Sequence, residues 1–522
     1  MAITLRTITG SALTYEQLDT NFSSFFYSAS YSNGTITLFT TGSGDTGSAV
    51  PGPISMSFTI PIISQWTGSV GVSTTNSQIQ ITGSLINGNG SISAPNSRFS
   101  HGEGFSTAAT GLYSHAEGVS NQATGTGSHA EGWTTTAKDN YAHSEGVITV
   151  AHGIGSHAEG YSSIASGSYS HAEGFYNIAS GSYSHAEGGG SVAIGDYSHA
   201  EGATTIATGD YSHTEGKGSI GSGNYSHAEG DNVVASGIAS HAEGRSTNST
   251  GLTSHAEGYG SISAGDYSHA EGQFTVANGQ SSHTEGYYTS ASGESSHAEG
   301  YYAIASGDYS HAEGDNTLAS GSSSHAEGNA TQTIGIWSHA EGQLTQAIGI
   351  GAHAEGDQTI ALGNFSHAEG QSTITSGSWS HAEGFETIAR GDYSHAEGDS
   401  SIALGNFSHA EGYNTVSSGS FSHAEGNNTV AVGIYQHVTG QYNITSSAQS
   451  AFIIGNGTGT GASRKNLLFA SGSTVQVTGS LNVTGSLNIK GAPSYIYMND
   501  VSGTLYRLSI APGGTLTVDT LS

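Results

Sequence analysis

Small and larger side chains alternate along this chain in short, evenly spaced bursts. Within residues 394–407 two five-residue phrases lie seven apart, Ser394-His-Ala-Glu-Gly398 and Ser401-Ile-Ala-Leu-Gly405. Alternation with a period of two is the pattern of a β-strand. A Gly at the end of each phrase suits a tight turn that needs φ > 0. Fourteen residues therefore predict one coil of two short strands and two turns. The first phrase recurs every fourteen residues without slippage. Its histidines run from His101 to His437, 25 in all, and only His152 stands outside the series. So strict a period predicts a solenoid in which each coil stacks on the last, forming two parallel sheets that face each other.

The alternation also assigns the faces. Ser fills the first position of the phrase in 22 of 25 coils, with Ala142, Ala352 and Gln436 as exceptions, and Ala fills the third in 20 of 25. These small residues must point inward, which leaves a thin interior with little hydrophobic burial. A single strip of this kind calls for association through an outer face. Two faces compete. The second strand carries Ile, Val or Leu at its first outward position in 18 of 25 coils, as at Ile164, Ile178, Val192 and Ile402. Its companion position wanders through Ser, Thr, Asn, Leu, Lys138, His152 and Arg390, which reads as solvent. The first strand presents His and Glu with almost no variation, and this face is the one expected to meet partner chains. An aromatic residue precedes the Ser in 17 of 25 coils, as at Tyr169, Trp337, Phe365 and Trp379, and predicts a packing ladder along one corner.

Composition fits narrow coils better than a conventional core. The 522 residues include 79 Gly, 6 Pro and no Cys, which excludes disulfides and thiolate chemistry. No signal-peptide pattern is visible at the start, and no run of about 20 apolar residues predicts a membrane helix. The net charge of −31 argues against binding a nucleic-acid backbone. Glu of the phrase supplies 24 of the 41 acidic residues. The charge is thus mostly one His/Glu array whose sign depends on pH.

The phrase Gly391-Asp-Tyr-Ser-His-Ala-Glu-Gly398 resembles the head repeat of trimeric autotransporter adhesins, the YadA-like head, which reads Gly-Asp-Asn-Ser-Val-Ala-Ile-Gly. Ile164-Ala-Ser-Gly167 is similar to that family's second segment. Ser191-Val-Ala-Ile-Gly195 reproduces the family phrase in the second strand's register. The resemblance spans roughly residues 96–455. It implies a left-handed parallel β-roll assembled as a trimer, with the positions of His and Glu turned to the threefold axis. The family has Val and Ile there, so the axis of this chain would be polar. The residues expected at the trimer interface are His115, Glu117, His171, Glu173, His199, Glu201, His269, Glu271, His311, Glu313, His367, Glu369, His395, Glu397, His423 and Glu425. Successive Glu would lie about 4.8 Å apart. Their repulsion is tolerable only if His supplies protons or hydrogen bonds.

The ends differ from the middle. The stretch from Ile8 to Phe22 resembles the opening of phage tail-fibre and other virion appendage proteins. Thr14-Tyr-Glu-Gln17 is a capping-box pattern that predicts a short helix. Phe22, Phe25, Phe26, Tyr27 and Tyr31 follow and could bundle three copies or dock to a base. Towards the C-terminus, residues 452–457 and 464–469 resemble segments that close such rolls in phage fibres. Residues 478–487 form a six-residue strand-turn repeat. A hairpin is expected from Tyr506–Ile510, a turn at Pro512, and Thr515–Val518. The expected organisation is an attachment or trimerisation region at 1–95, a β-roll shaft at 96–447 and a β-rich tip or connector at 448–522.

These readings combine into an all-β trimeric fibre, a parallel β-roll with small β-rich terminal domains and a short N-terminal helix. The expected function is structural and adhesive. The fibre belongs to a virion, as a phage tail fibre or spike, and contacts itself, a virion base or adjacent fibre protein, and a host-cell glycan or protein. At about 4.8 Å per coil the shaft would measure roughly 115–120 Å. The alternatives are a bacterial surface or extracellular trimeric adhesin and, behind it, a glycan-degrading tailspike. No catalytic site is expected, because adjacent Ser and His point to opposite faces of a strand. No cofactor is called for. Ions held on the axis by His and Glu of three chains are a secondary reading. Calcium of the nonapeptide type lacks its motif. Ice binding would need an outward Thr array, whereas Thr here lies mainly inward. Asp196, Asp210, Asp266, Asp308 and Asp392 read as turn residues, and His152 as a surface residue.

Overall fold

A computed structural model describes residues 99–485 without a break. Outside that span it describes strands between Ser28 and Ser93, Ile496–Asn499, and residues 504–510 and 516–521. Two units are distinguished, Met1–Ala352 and His353–Ser522.

In the first unit the phrase forms a five-residue strand, as at His115–Val119, followed by a two-residue strand, as at Gln122–Ala123. Successive long strands pair in parallel with a shift of fourteen, so His115 lies beside His129 and Glu117 beside Glu131. The short strands do the same, with Ile164 beside Ile178. Three long strands shrink to two residues, His157–Ala158, His255–Ala256 and His269–Ala270, and isolated bridges such as Val147 to Tyr161 continue the pairing beyond the first of them. The second unit repeats this arrangement from His353–Asp357 to His437–Gln441.

The interior is what the alternation predicts. Ala116, Ala130 and Ala172 of the long strand and Ala165 and Ala179 of the short one are fully buried, as are Ser114 and Ser128 at the start of the phrase. The buried hydroxyls are used locally. Ser114 donates to the carbonyl of Gly111 at 2.8 Å and Ser128 to that of Gly125 at 2.8 Å, closing the turn. Thr205 and Thr149 of the second strand are also buried. Asn121 adds an inward ladder rung, donating to the carbonyl of Gly132 and accepting from the backbone N–H of Thr135, both at 2.8 Å. Two alanine methyls per coil bury little apolar area. Cohesion therefore rests on backbone bonds between coils, such as His115 N–H to Ser128 C=O at 2.9 Å, and on stacked side chains.

The two glycines of a coil serve different ends. Gly174, closing the long strand, has φ of +105°, as expected. Gly167, closing the short strand, does not have positive φ. It is required because a Cβ there would overlap the carbonyl oxygen of Gly181 in the next coil. The left-handed conformation falls instead on the residue before the Ser, such as Tyr169 at φ 58°, and on the residue after the long strand, such as Tyr176 at φ 59°.

The second unit contains a closing element. Phe452–Asn456 pairs in parallel with His437–Gln441, and Asn466–Ser471 then pairs antiparallel with it. Here the small interior is replaced by larger side chains. Val438 and Ile453 are fully buried, with Phe469 packed against them. Gln436 takes the place of Ser, accepting from Val432 N–H at 2.7 Å and donating to Ser446 C=O at 3.0 Å. Arg464 donates to the carbonyls of Asn428 at 2.9 Å and Asn443 at 3.0 Å. A polar lid thus satisfies groups that another coil would otherwise meet.

The C-terminal hairpin is present, with Leu505–Ile510 antiparallel to Leu516–Leu521. The six-residue repeat does not form strands over its described part, 478–485. The proposed helix at Thr14 and the ring-bearing stretch Phe22–Tyr27 lie outside the described residues. Tyr31 falls within the strand Ser28–Ser32.

Candidate functional site: the histidine–glutamate face

Period-two alternation turns His and Glu of every phrase to the same outer face, with Ser and Ala behind them. Side chains at one position then recur one coil apart, and planar rings at that spacing stack. In the first unit the imidazoles from His101 to His339 form a continuous stack, with centroids 4.6–4.9 Å apart and planes within 12° of parallel. In the second unit the stack from His353 to His423 has centroids 4.5–4.9 Å apart. It ends where His437 tilts by 52°, next to the closing strand.

In most coils the imidazole leans on the Glu two residues on. Nε2 of His115 lies 3.6 Å from Oε2 of Glu117, that of His171 3.6 Å from Glu173, and that of His269 3.8 Å from Glu271. In several coils the other carboxylate oxygen reaches the following His, as from Glu187 to His199 at 3.9 Å and from Glu299 to His311 at 3.6 Å. These separations exceed a hydrogen bond. The imidazole as a whole is about one-third exposed, 34% at His171. Its Nε2 is shielded and forms no hydrogen bond, as at His171, His185 and His199. An open groove runs beside the stack along Glu103, Glu117, Glu131, Glu145 and Glu159.

Burial, followed by the neighbouring imidazoles His143 and His171, holds His157 down to about 4, and burial with His241 and His269 holds His255 at about 4. The carboxyls alternate. Glu159 is pushed up to about 7 by hydrogen bonding to Glu145 and then Glu173, while those two are held below the usual carboxylate range by the same contacts. Glu187 is pushed up to about 7 between Glu173 and Glu201, and Glu299 between Glu285 and Glu313. Neighbouring carboxyls along the row are thus pushed in opposite directions, which favours a proton on every second Glu in this stretch. Burial within a stack of like rings disfavours imidazolium at His157 and His255.

All sixteen residues expected at an interface, from His115 to Glu425, lie on this strand face, half-shielded. Ser and His of one phrase are not brought together, since Ser114 points inward to Gly111 while His115 points out. His152 is exposed at the outward companion position next to the short strand. Asp196, Asp210, Asp266, Asp308 and Asp392 accept backbone N–H bonds from the preceding coil at 2.8–3.0 Å, which is turn chemistry between coils.

The corner ladder forms in runs. Tyr169, Tyr183, Tyr197, Tyr211 and Tyr225 stack at 4.8–5.1 Å, as do Phe365 to Tyr435 at 4.7–5.5 Å, and all are exposed. A second aromatic cluster, Tyr287, Tyr288, Tyr301 and Tyr302, packs edge-to-face and stacked at the other turn. Sequence reasoning passed over it, although the Tyr-Tyr doublets one coil apart were a readable signal.

Residues 172–198, 186–212, 215–244, 256–282, 285–310, 340–366, 382–408 and 410–434 match the YadA head domain repeat (2 copies). The match falls on the fourteen-residue coils and covers less than half of the chain. No curated protein matches the sequence. The chain therefore carries YadA head repeats, built as a parallel β-solenoid in which His and Glu occupy one outer face.

Proposed function

We propose that this protein is a structural and adhesive fibre, that three copies associate through their His/Glu faces, and that the fibre is a virion appendage such as a phage tail fibre. The observation that carries the reading is the constancy of the His/Glu face over 25 coils, with ring nitrogens shielded but unpartnered within their own chain, as at His171 and His199. Outward positions in a repeat drift when they meet only water. The thin Ala/Ser interior supports the same conclusion, since one strip gains little from its core. The detected repeats add the expectation of a trimeric adhesin. The proposed interface residues are the sixteen named above, from His115 and Glu117 to His423 and Glu425.

The virion assignment draws on the N-terminal resemblance to tail-fibre openings. The detected repeats favour the second reading, a bacterial surface adhesin. In either setting the terminal region beyond the roll would contact a base, another fibre protein or a host-cell surface. Light scattering near pH 7.5 tests the assembly. A mass three times 52.8 kDa supports it, and a stable monomer overturns it. Antibody labelling then separates the settings, since decoration of virion tails supports the first reading and decoration of bacterial cells the second. Cleavage of capsule or lipopolysaccharide by the purified protein would move the assignment to a tailspike enzyme.

A further inference from the structure

The same face carries a second chemistry that needs only one chain's ligands, so it stands whether or not three chains meet there. Nε2 of His171 and Oε2 of Glu173 are 3.6 Å apart, and those of His199 and Glu201 are 3.6 Å apart. That is too far for a hydrogen bond. It is close to the separation of two ligands bound to one ion at about 2.0–2.2 Å, roughly 3.4–3.6 Å for angles of about 110–120°. The ligand atoms of His171, Glu173 and His185 all lie within 4.8 Å of one another, and the next imidazole is stacked at 4.7 Å, about 1 Å wider than two nitrogens on one ion, so binding requires neighbouring rings to tilt together. The ligand atoms are as close in His199, Glu201 and His213, and in His227, Glu229 and His241. The nitrogens concerned form no hydrogen bond.

We infer that the ladder binds a row of divalent transition-metal ions, each held by the His of two successive coils and the Glu between them. One Nε2 serves one ion, so neighbouring sites use alternate coil pairs, His171 with His185 and then His199 with His213. Two imidazoles and a carboxylate, with no Cys in the chain, suit zinc, cobalt, nickel or copper(II) and disfavour calcium and magnesium. Three ligands leave a fourth position for water or for a group from another chain. Positive ions also neutralise part of a chain whose net charge is −31.

Co2+ added to the full-length, chelator-stripped protein tests the inference, with bound metal counted by atomic absorption and geometry read from the visible d–d bands. The expected result is several ions per chain with the intense bands of four- or five-coordination. The combined variant His171→Gln, His185→Gln, His199→Gln, His213→Gln should bind about two ions fewer, while His152→Gln, on the other face, should bind as many as the parent. If circular dichroism shows the combined variant misfolded, His185→Gln with His199→Gln should lose about one ion. Absence of bound Co2+, equal uptake by the ladder variant, or only weak six-coordinate bands abolished by excess Ca2+ would overturn the inference. Light scattering of stripped and loaded protein reads the assembly separately, so a monomer that still binds Co2+ rejects the trimer alone.

Discussion

The two outer faces of a coil are built by the same alternation and behave differently. On the long strand, His and Glu recur almost without exception, the imidazoles stack from His101 to His339 and from His353 to His423, and their Nε2 atoms are shielded in most coils. On the short strand, Ile164 and Ile178 are half-exposed and the companion position ranges from Leu404 to Lys138 and Arg390. Both faces are equally compatible with coil formation, because neither contributes to the Ala/Ser interior. The contrast lies in what each side chain meets along the stack. Each His and Glu lies beside its own kind in the next coil, whereas the companion position meets a different residue from coil to coil.

The strongest perturbation removes the basis for comparing the faces at all. Gly174→Ala on the long strand and Gly181→Ala on the short one each place a Cβ against a carbonyl oxygen of the next coil. Each should lower stability by about 4 kcal/mol or more, seen as loss of cooperative melting. Tolerance of Gly181→Ala alone would show the second face to be the looser one. Next in size is replacement of His185, Glu187, His199, Glu201, His213 and Glu215 by Ala. Assembly should weaken sharply while the monomer's circular dichroism is kept, and unchanged mass and melting would remove the interface proposal. The matching change on the other face, Val192→Ala with Ile206→Ala and Ile220→Ala, should leave mass unchanged and cost about 1 kcal/mol or less per residue, because these side chains are only partly covered.

Acidification should separate the faces further. Folding favours neutral imidazole at His157 and His255, so their contribution is complete above 6.5 and is lost as pH falls towards about 4. The raised Glu159 and Glu187 act oppositely, contributing fully below 4.5 and losing that contribution as pH rises towards about 7. Their partners Glu145 and Glu173, held low, side with the His. The net expectation is a falling melting temperature from pH 7 to pH 4. A His→Gln block over three coils should blunt the fall, and a fall of the same size in that block would assign it elsewhere. The smallest effect is expected at the corner, where Tyr197→Ser should cost about 0.5–1.5 kcal/mol, since Ser, Gly, Ala and Thr already occupy that position in other coils.

The coil was legible because one period fixed both the strand pairing and the inward residues. Ser114 and Ala116 could be placed inside, and His115 and Glu117 outside, without coordinates. The separate duties of Gly174 and Gly167 were not legible, because close approach between coils is a property of the stack and not of the turn. The alternating shifts of the carboxyls along the Glu row were hidden for a related reason. They depend on carboxyls brought together by pairing, such as Glu145 with Glu159, which a local reading treats as repelling charges. At the closing element the sequence signalled the change through Val438 and Gln436, but not the docking of Arg464 onto Asn428 and Asn443.

The fourteen-residue register also bears on heredity. Because His115 pairs with His129 as His129 pairs with His143, removing or duplicating one whole repeat gives every remaining residue an equivalent neighbour. Unequal recombination between such similar coding segments would change the number of coils in whole steps of about 4.8 Å and leave the folding rules untouched. A gain or loss of any other length would break the pairing. Reach is then a countable trait that selection can adjust without redesigning the protein.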